Sequence, residues 1–330
     1  MLSRRDFLGA GLVGASLYTA GAYAPIWAQN APNLGTPTVP SPGFRRMKVG
    51  DAEVIAVTDG LTRRPLGDEF VKNAPLADVR AMLAAQGLPT DYVDVPYTPF
   101  VVVSGGKRIL IDTGLGEFGS PATTGKLLPH LQAAGLQASD IDIVLISHFH
   151  GDHINGLRNK AGQFVFSKAK VMVPAPEYAF WMDDAKMAAA VGGLKGAFEN
   201  VRRTFAQMPA DMLVRFEPGS ELLSGVRSVA AYGHTPGHTM FELNSAGQKF
   251  AYLGDLTNIP SLFARNPDWA VVFDMDAEAA RKVRRATFER IVADSVTVGG
   301  FHFPFPAFGK MKPAETAALG AKGFQFEAVA

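Results

Sequence analysis

Four side chains of the kind that bind metal ions fall within six residues of this chain. His148, His150, Asp152 and His153 spell H-x-H-x-D-H inside ISHFHGDHINGL, residues 146–157, and that stretch holds three of the seven histidines. The apolar run before it, 141–147, has the pattern of a buried strand. In an extended segment residues two apart point the same way, so His148 and His150 can present their imidazoles to one ion. A turn at Gly151 then redirects Asp152 and His153 toward a neighbouring point. Imidazole and carboxylate suit zinc and similar divalent metals. A solvated polar loop would not require this composition.

The 330 residues suffice for one large domain or two smaller ones, and 47% hydrophobic against 19% charged residues is globular rather than disordered. With 32 basic and 31 acidic residues the net charge is +1, which gives no footprint for nucleic acid and points toward an uncharged or small substrate. The chain has no cysteine, so a disulfide framework, a thiolate metal site and a cysteine nucleophile are all excluded.

The N-terminus reads as a processing signal. Ser3-Arg4-Arg5-Asp6-Phe7-Leu8 precedes an uncharged Gly/Ala-rich run over 9–24 that is too short and too glycine-rich to span a bilayer convincingly. Paired arginines followed by Phe-Leu look like a twin-arginine export signal, with cleavage after Ala28. The expectation is a signal peptide over 1–28, a flexible Pro/Asn-rich leader over 29–43, and one domain over 44–330. The mature protein would then be periplasmic or secreted, without stable membrane insertion.

Turn signals at Gly50-Asp51 and Gly105-Gly106 predict two hairpins, over 47–58 and 99–112. A helix is predicted over 125–134, ending at Gly135. Further strands are predicted at 170–174, 228–232, 240–243, 250–253 and 295–299, and an amphipathic helix over 277–293. Strands come first in each half and helices follow, which suggests an α/β fold with two sheets packed face to face and helices outside. The chemistry sits where strands end. His234 follows one predicted strand, in GHTPGHT; Asp255 ends another, in LGD; His302 follows a third. His130 stands apart on a helix, as a structural or solvent-facing histidine.

H-x-H-x-D-H, then GHTPGHT, then LGD and a late histidine, together with Ile111-Asp112-Thr113-Gly114, resembles the metallo-β-lactamase superfamily. The resemblance implies an αβ/βα four-layer sandwich of two mainly antiparallel mixed sheets, with a two-metal site in the cleft between the sheet ends. It implies that one metal takes His148, His150 and His234, the other Asp152, His153 and His302, and that Asp255 bridges them. His238 would support these ligands from outside the direct set, and Asp112 would hold the loop near the site. Two divalent ions, zinc by expectation, would acidify a shared water and polarise a carbonyl or phosphoryl oxygen. Asp152 would orient the resulting hydroxide, and Asp152 and Asp255 are the expected catalytic carboxylates.

Within the superfamily, the chain is most similar to the methyl parathion hydrolase group, through Pro42-Gly43-Phe44-Arg45-Arg46-Met47, Gly50-Asp51-Ala52-Glu53-Val54, Phe180-Trp181 and Lys195-Gly196-Ala197-Phe198. That resemblance places Phe118, Trp181 and Phe198 on an aromatic substrate pocket. Asn258 also belongs to the expected pocket; lactonases of this fold usually carry tyrosine at that position. The implied substrate is a neutral apolar ester: an organophosphate triester, a lactone or an aryl ester. Homodimers are implied as well. The alternative is a metal-dependent oxidoreductase of the same fold, such as a persulfide dioxygenase.

Overall fold

Gly50 and Gly105-Gly106 close two hairpins that start the first sheet: Phe44–Val49 pairs with Ala52–Val57, and Phe100–Ser104 with Lys107–Ile111. These strands belong to a computed structural model of the chain that describes residues 33–316 and 321–329. The export signal expected over 1–28 and the first leader residues lie outside the described residues. Leu34–Ala330 is one compact unit.

The first sheet continues with Ile143–Leu145, Lys170–Pro174 and Leu213–Phe216, so seven strands run antiparallel in its first half and parallel in its second. The second sheet also has seven strands: Glu221–Leu223, Val226–Ala230, Thr239–Ser245, Gln248–Tyr252, Thr297–Gly299, Phe308–Thr316 and Ala321–Ala328. Only its Gln248–Tyr252 and Thr297–Gly299 pair is parallel. The layers are those of the predicted α/β sandwich. A small third sheet pairs Gly60–Pro65 with Tyr92–Tyr97. Sequence reading missed it, because 26 residues and the helix Leu76–Ala84 separate its strands and no turn signal joins them.

Period-two burial explains why the first sheet sits in the middle of the molecule. Ile109, Ile111, Ile143 and Leu145 share one apolar cluster with Phe241, Phe250 and Tyr252 of the second sheet. Leu110 and Val144, pointing the other way, join a second cluster with Leu131, Trp181 and Phe198 from the helices Leu127–Ala133, Ala175–Trp181 and Gly192–Phe205. The second sheet carries the helix Ala277–Ala293, whose N-terminus is capped by the Asp276 carboxylate accepting from the Glu278 and Ala279 N–H groups. No described helix is long and apolar enough to cross a membrane.

Candidate metal centre

Parallel strands end on the same edge of a sheet, and that edge is where the donors gather. Lys107–Ile111 leads into Asp112, and Ile143–Leu145 leads through Ser147 to His148. In the second sheet, Gln248–Tyr252 leads to Asp255, and Thr297–Gly299 to His302. Ser147 O accepts from Thr239 N at 3.0 Å, which joins the two edges.

The donors form two groups. His148, His150, His234 and Asp255 lie together, as do Asp152, His153 and His302, each group with its ligand atoms within 4.8 Å of one another. Asp255 faces both groups. Its Oδ2 lies 3.2 Å from His234 Nε2 and 3.0 Å from His302 Nε2, and its Oδ1 lies 3.2 Å from His153 Nε2. His150 and Asp152 are half-buried and form the open side; the others are buried.

Most of the rings are held by one nitrogen and leave the other facing the cluster. His153 Nδ1 donates to Asp112 Oδ2 at 2.8 Å, His234 Nδ1 to Asp274 Oδ1 at 2.9 Å, and His302 Nδ1 to Pro96 O at 2.7 Å. His148 Nδ1 lies 3.0 Å from Ser147 Oγ, which itself donates to Asp112 Oδ2 at 2.7 Å. Acceptors on Nδ1 fix the tautomer and turn the Nε2 lone pair inward. His238 differs: Nδ1 donates to Ala231 O, and Nε2 accepts from the Asp255 backbone N–H at 3.0 Å. With both nitrogens engaged, it supports Asp255 rather than offering a donor.

His148 Nε2, His153 Nε2 and Asp255 Oδ1 are buried with no hydrogen-bond partner among the described residues. Buried polar atoms are ordinarily paired, so orphaned lone pairs converging here fit cations. His234 Nε2 and His150 Nδ1, 2.9 Å apart, likewise point at each other. The donor set fits a dinuclear metal centre.

The electrostatics split the rings. Burial, with His153 and His150 nearby, holds His148 well below the ordinary imidazole value, and burial with His234 nearby does the same to His150. Burial takes His238 down to about 4. For His234 burial is overcome by Asp255 and Asp274, which push it up to about 9; Asp255 and Asp112 likewise raise His153 well above its usual value. Burial opposes ionisation of Asp255, yet His302, His153 and His234 hold it well below the carboxylate range.

The expected pocket residues do not share one environment. Trp181 and Phe198 are fully buried, their rings 4.8 Å apart in the helix-side core cluster, and Trp181 Nε1 donates to Glu177. Close packing leaves them no surface for a substrate. Asn258 is also buried, and Phe118 is exposed under the Arg203 guanidinium, 4.0 Å above its ring. None of the four lines the cavity of about 700 Å³ that reaches His302. Leu61, Leu83, Leu88, Ile259, Phe305 and Phe326 supply its apolar wall. Phe305 belongs to the aromatic run after His302, the one sequence signal for that wall. His130 is structural, its Nδ1 bonded to Thr58 O at 2.7 Å.

Glu177, Asp274 and Arg284 are among the buried charged residues that escaped the sequence reading. Arg284 donates to Asp274 Oδ2 at 3.2 Å and to Leu256 O at 2.7 Å, so one guanidinium supports the partner of His234 and the residue after Asp255. Glu177, pushed up by burial, accepts from four donors. Charged residues on helices ordinarily face water, and only the tertiary packing turns Glu177 and Arg284 inward.

Comparisons with known proteins agree with this geometry. The chain resembles AidC, a dizinc quorum-quenching lactonase solved with a product, at 26% identity and TM-score 0.78 over 87% of this chain and 98% of that one. It resembles the hydrolase AbOPH equally, at 26% identity and TM-score 0.79 over the same shares. Among curated proteins it is 30% identical over 161 residues to the endoribonuclease YSH1 of Mycosarcoma maydis, covering 46% of this chain and 17% of the relative. A cleavage and polyadenylation specificity factor 73 of Drosophila melanogaster is 29% identical over 160 residues, 46% of this chain and 22% of the relative. The chain thus matches only about a fifth of the length of these curated relatives. Residues 93–296, well over half of the chain, match a family description directly. With its ligand-bearing strand ends and its two-sheet sandwich, the chain belongs to the metallo-β-lactamase superfamily.

Proposed function

We propose that this protein is a dinuclear zinc hydrolase of small neutral apolar esters, with lactones, aryl esters and phosphotriesters as its substrate class. The reading rests on the seven-donor cluster closed by Asp255. In it His148, His150 and His234 would hold one ion and Asp152, His153 and His302 the other, with Asp255 available to both. When bound, the two cations supply Lewis acidity toward water and toward the carbonyl or phosphoryl oxygen. Asp152, half-buried on the open side, is the carboxylate placed to accept and relay a proton. Asp112 and Asp274 keep His153 and His234 in fixed tautomers. No serine or cysteine nucleophile is then required.

The apolar wall beside His302 supports a neutral substrate, and the likeness to a lactonase and to AbOPH supports the ester class. Similarity to the methyl parathion hydrolase group, export through the twin-arginine signal and a homodimeric state are parts of the same proposal, carried by the sequence. The test is turnover of an aryl ester, lactone and phosphotriester panel by protein of measured metal content. Chelator-sensitive turnover of at least one is expected. Metal-replete protein that cleaves none of them overturns the reading, and oxygen uptake with a thiol persulfide on a single iron per chain replaces it with the oxidoreductase.

A further inference from the structure

We infer that Glu177 is a positioning residue for one of the two ions, fixing the loops of His148, His150 and His234 relative to each other. The inference rests on the dinuclear reading above. Glu177 lies fully buried on the helix Ala175–Trp181. Its Oε1 accepts from Phe149 N at 2.9 Å and Trp181 Nε1 at 2.7 Å. Its Oε2 accepts from Thr235 Oγ1 at 2.8 Å and Gly237 N at 2.7 Å. Phe149 stands between His148 and His150, and Thr235 directly follows His234. One carboxylate therefore bonds both chain segments that carry the three histidines.

The physical need is plain at the backbone. Both loops have left their strands, and a buried N–H outside a ladder must find another acceptor. The Phe149 ring stacks on Phe205 at 4.5 Å, which fixes the residue inside the core and brings its N–H to the helix. Gly237 matters because a Cβ there would stand 2.2 Å from Glu177 N, so only glycine permits this approach. The second glycine of GHTPGHT thus has a packing reason.

The other group is held differently. His153 is oriented by Asp112 and His302 by Pro96 O, and neither residue is among the partners of Glu177. Asp112 reaches the first group only indirectly, through Ser147 to the His148 ring. Loss of Glu177 therefore acts on the ions unequally.

Glu177→Gln is the test, because an amide cannot accept from all four donors and its NH2 must face at least one donor pair. Metal-stripped full-length chain is titrated with Zn²⁺ against a competing chelator, with near-ultraviolet circular dichroism confirming the fold. The parent is expected to bind two ions. E177Q is expected to keep one at parental affinity and to bind the other about 10–100-fold more weakly. Thr235→Val, which removes one donor at matched shape, is expected to weaken the same ion by less, and Thr235→Ser to restore it. The Thr235 pair decides the matter if E177Q fails to fold. Equal weakening of both ions, or no weakening in the folded variants, overturns the role of Glu177 alone. A parent that binds no pair of ions overturns the dinuclear reading and this inference with it.

Discussion

His150 differs from the other histidine donors because, among the described residues, no carbonyl, carboxylate or hydroxyl oxygen anchors its ring; its Nδ1 faces His234 Nε2 at 2.9 Å. It is also half-buried, beside Asp152 on the open side. Its removal should therefore cost metal and activity with little loss of packing. We expect His150→Ala to retain the fold, to lose roughly one ion per chain by elemental analysis, and to lower kcat/KM by about 100-fold or more, near 2.7 kcal/mol. Retention of both ions with full turnover would remove His150 from the centre. Asp112 is the opposite case: fully buried, with φ of 60°, it accepts from Ser147 N, Ser147 Oγ, His153 Nδ1 and Tyr252 Oη. A non-glycine residue in that backbone region is uncommon, and here it lets one carboxylate meet all four donors.

At the scale of elements, the helix Ala277–Ala293 does more than cover the second sheet, since Arg284 projects from it into the interior. Its guanidinium donates to Leu256 O, Pro267 O, Trp269 O and Asp274 Oδ2. Removing one partner of a buried ion pair leaves the other uncompensated, so Arg284→Met should destabilise the protein by about 3–5 kcal/mol in denaturant unfolding. A change within ±0.5 kcal/mol would show that Arg284 contributes nothing to this support. The helix itself was readable over 277–293 from its apolar periodicity, and the structure places it at Ala277–Ala293. The buried role of Arg284 was not readable, because an arginine between apolar positions looks the same whether it meets water or Asp274. The same asymmetry runs through the molecule. H-x-H-x-D-H is compact enough to be read as a metal-binding cluster, while Glu177 acts only because a distant loop folds against it. Trp181 and Phe198 were expected on the pocket through a family resemblance, and here both are packed in the helix-side core. The terminal pair Phe308–Thr316 and Ala321–Ala328 gave no strand signal, since Pro313 interrupts the first strand.

For the whole molecule, the seven donors come from four separate stretches of chain on both sheets. Stripped of metal, the protein should show a stability maximum near pH 6.5 in denaturant unfolding across pH 4–9. His234, at about 9 when folded, contributes stability that is fully present below its unfolded value of 6.5 and is lost as pH rises through 9; His153 acts in the same direction. His238, at about 4 when folded, has the opposite sign. Between 6.5 and 4 the unfolded chain takes up a proton that the folded chain refuses, so stability falls as pH drops, and His148 and His150 add to this. With zinc bound the alkaline decline should disappear, because metal replaces protons on the same nitrogens. A stripped protein with flat stability from pH 6.5 to 9 would contradict the charge balance around Asp255.

The bond from Thr239 N to Ser147 O marks the seam where the two sheet edges meet, and the donors lie along that seam. An unfolded or half-folded chain offers the local cluster at 148–153, but His234, Asp255 and His302 arrive only when the second sheet docks. Metal uptake should therefore lag behind secondary-structure formation and report the last step of assembly. Conversely, release of the ions should keep time with opening of the seam, so the lifetime of the bound metal becomes a clock for the motion of one sheet against the other.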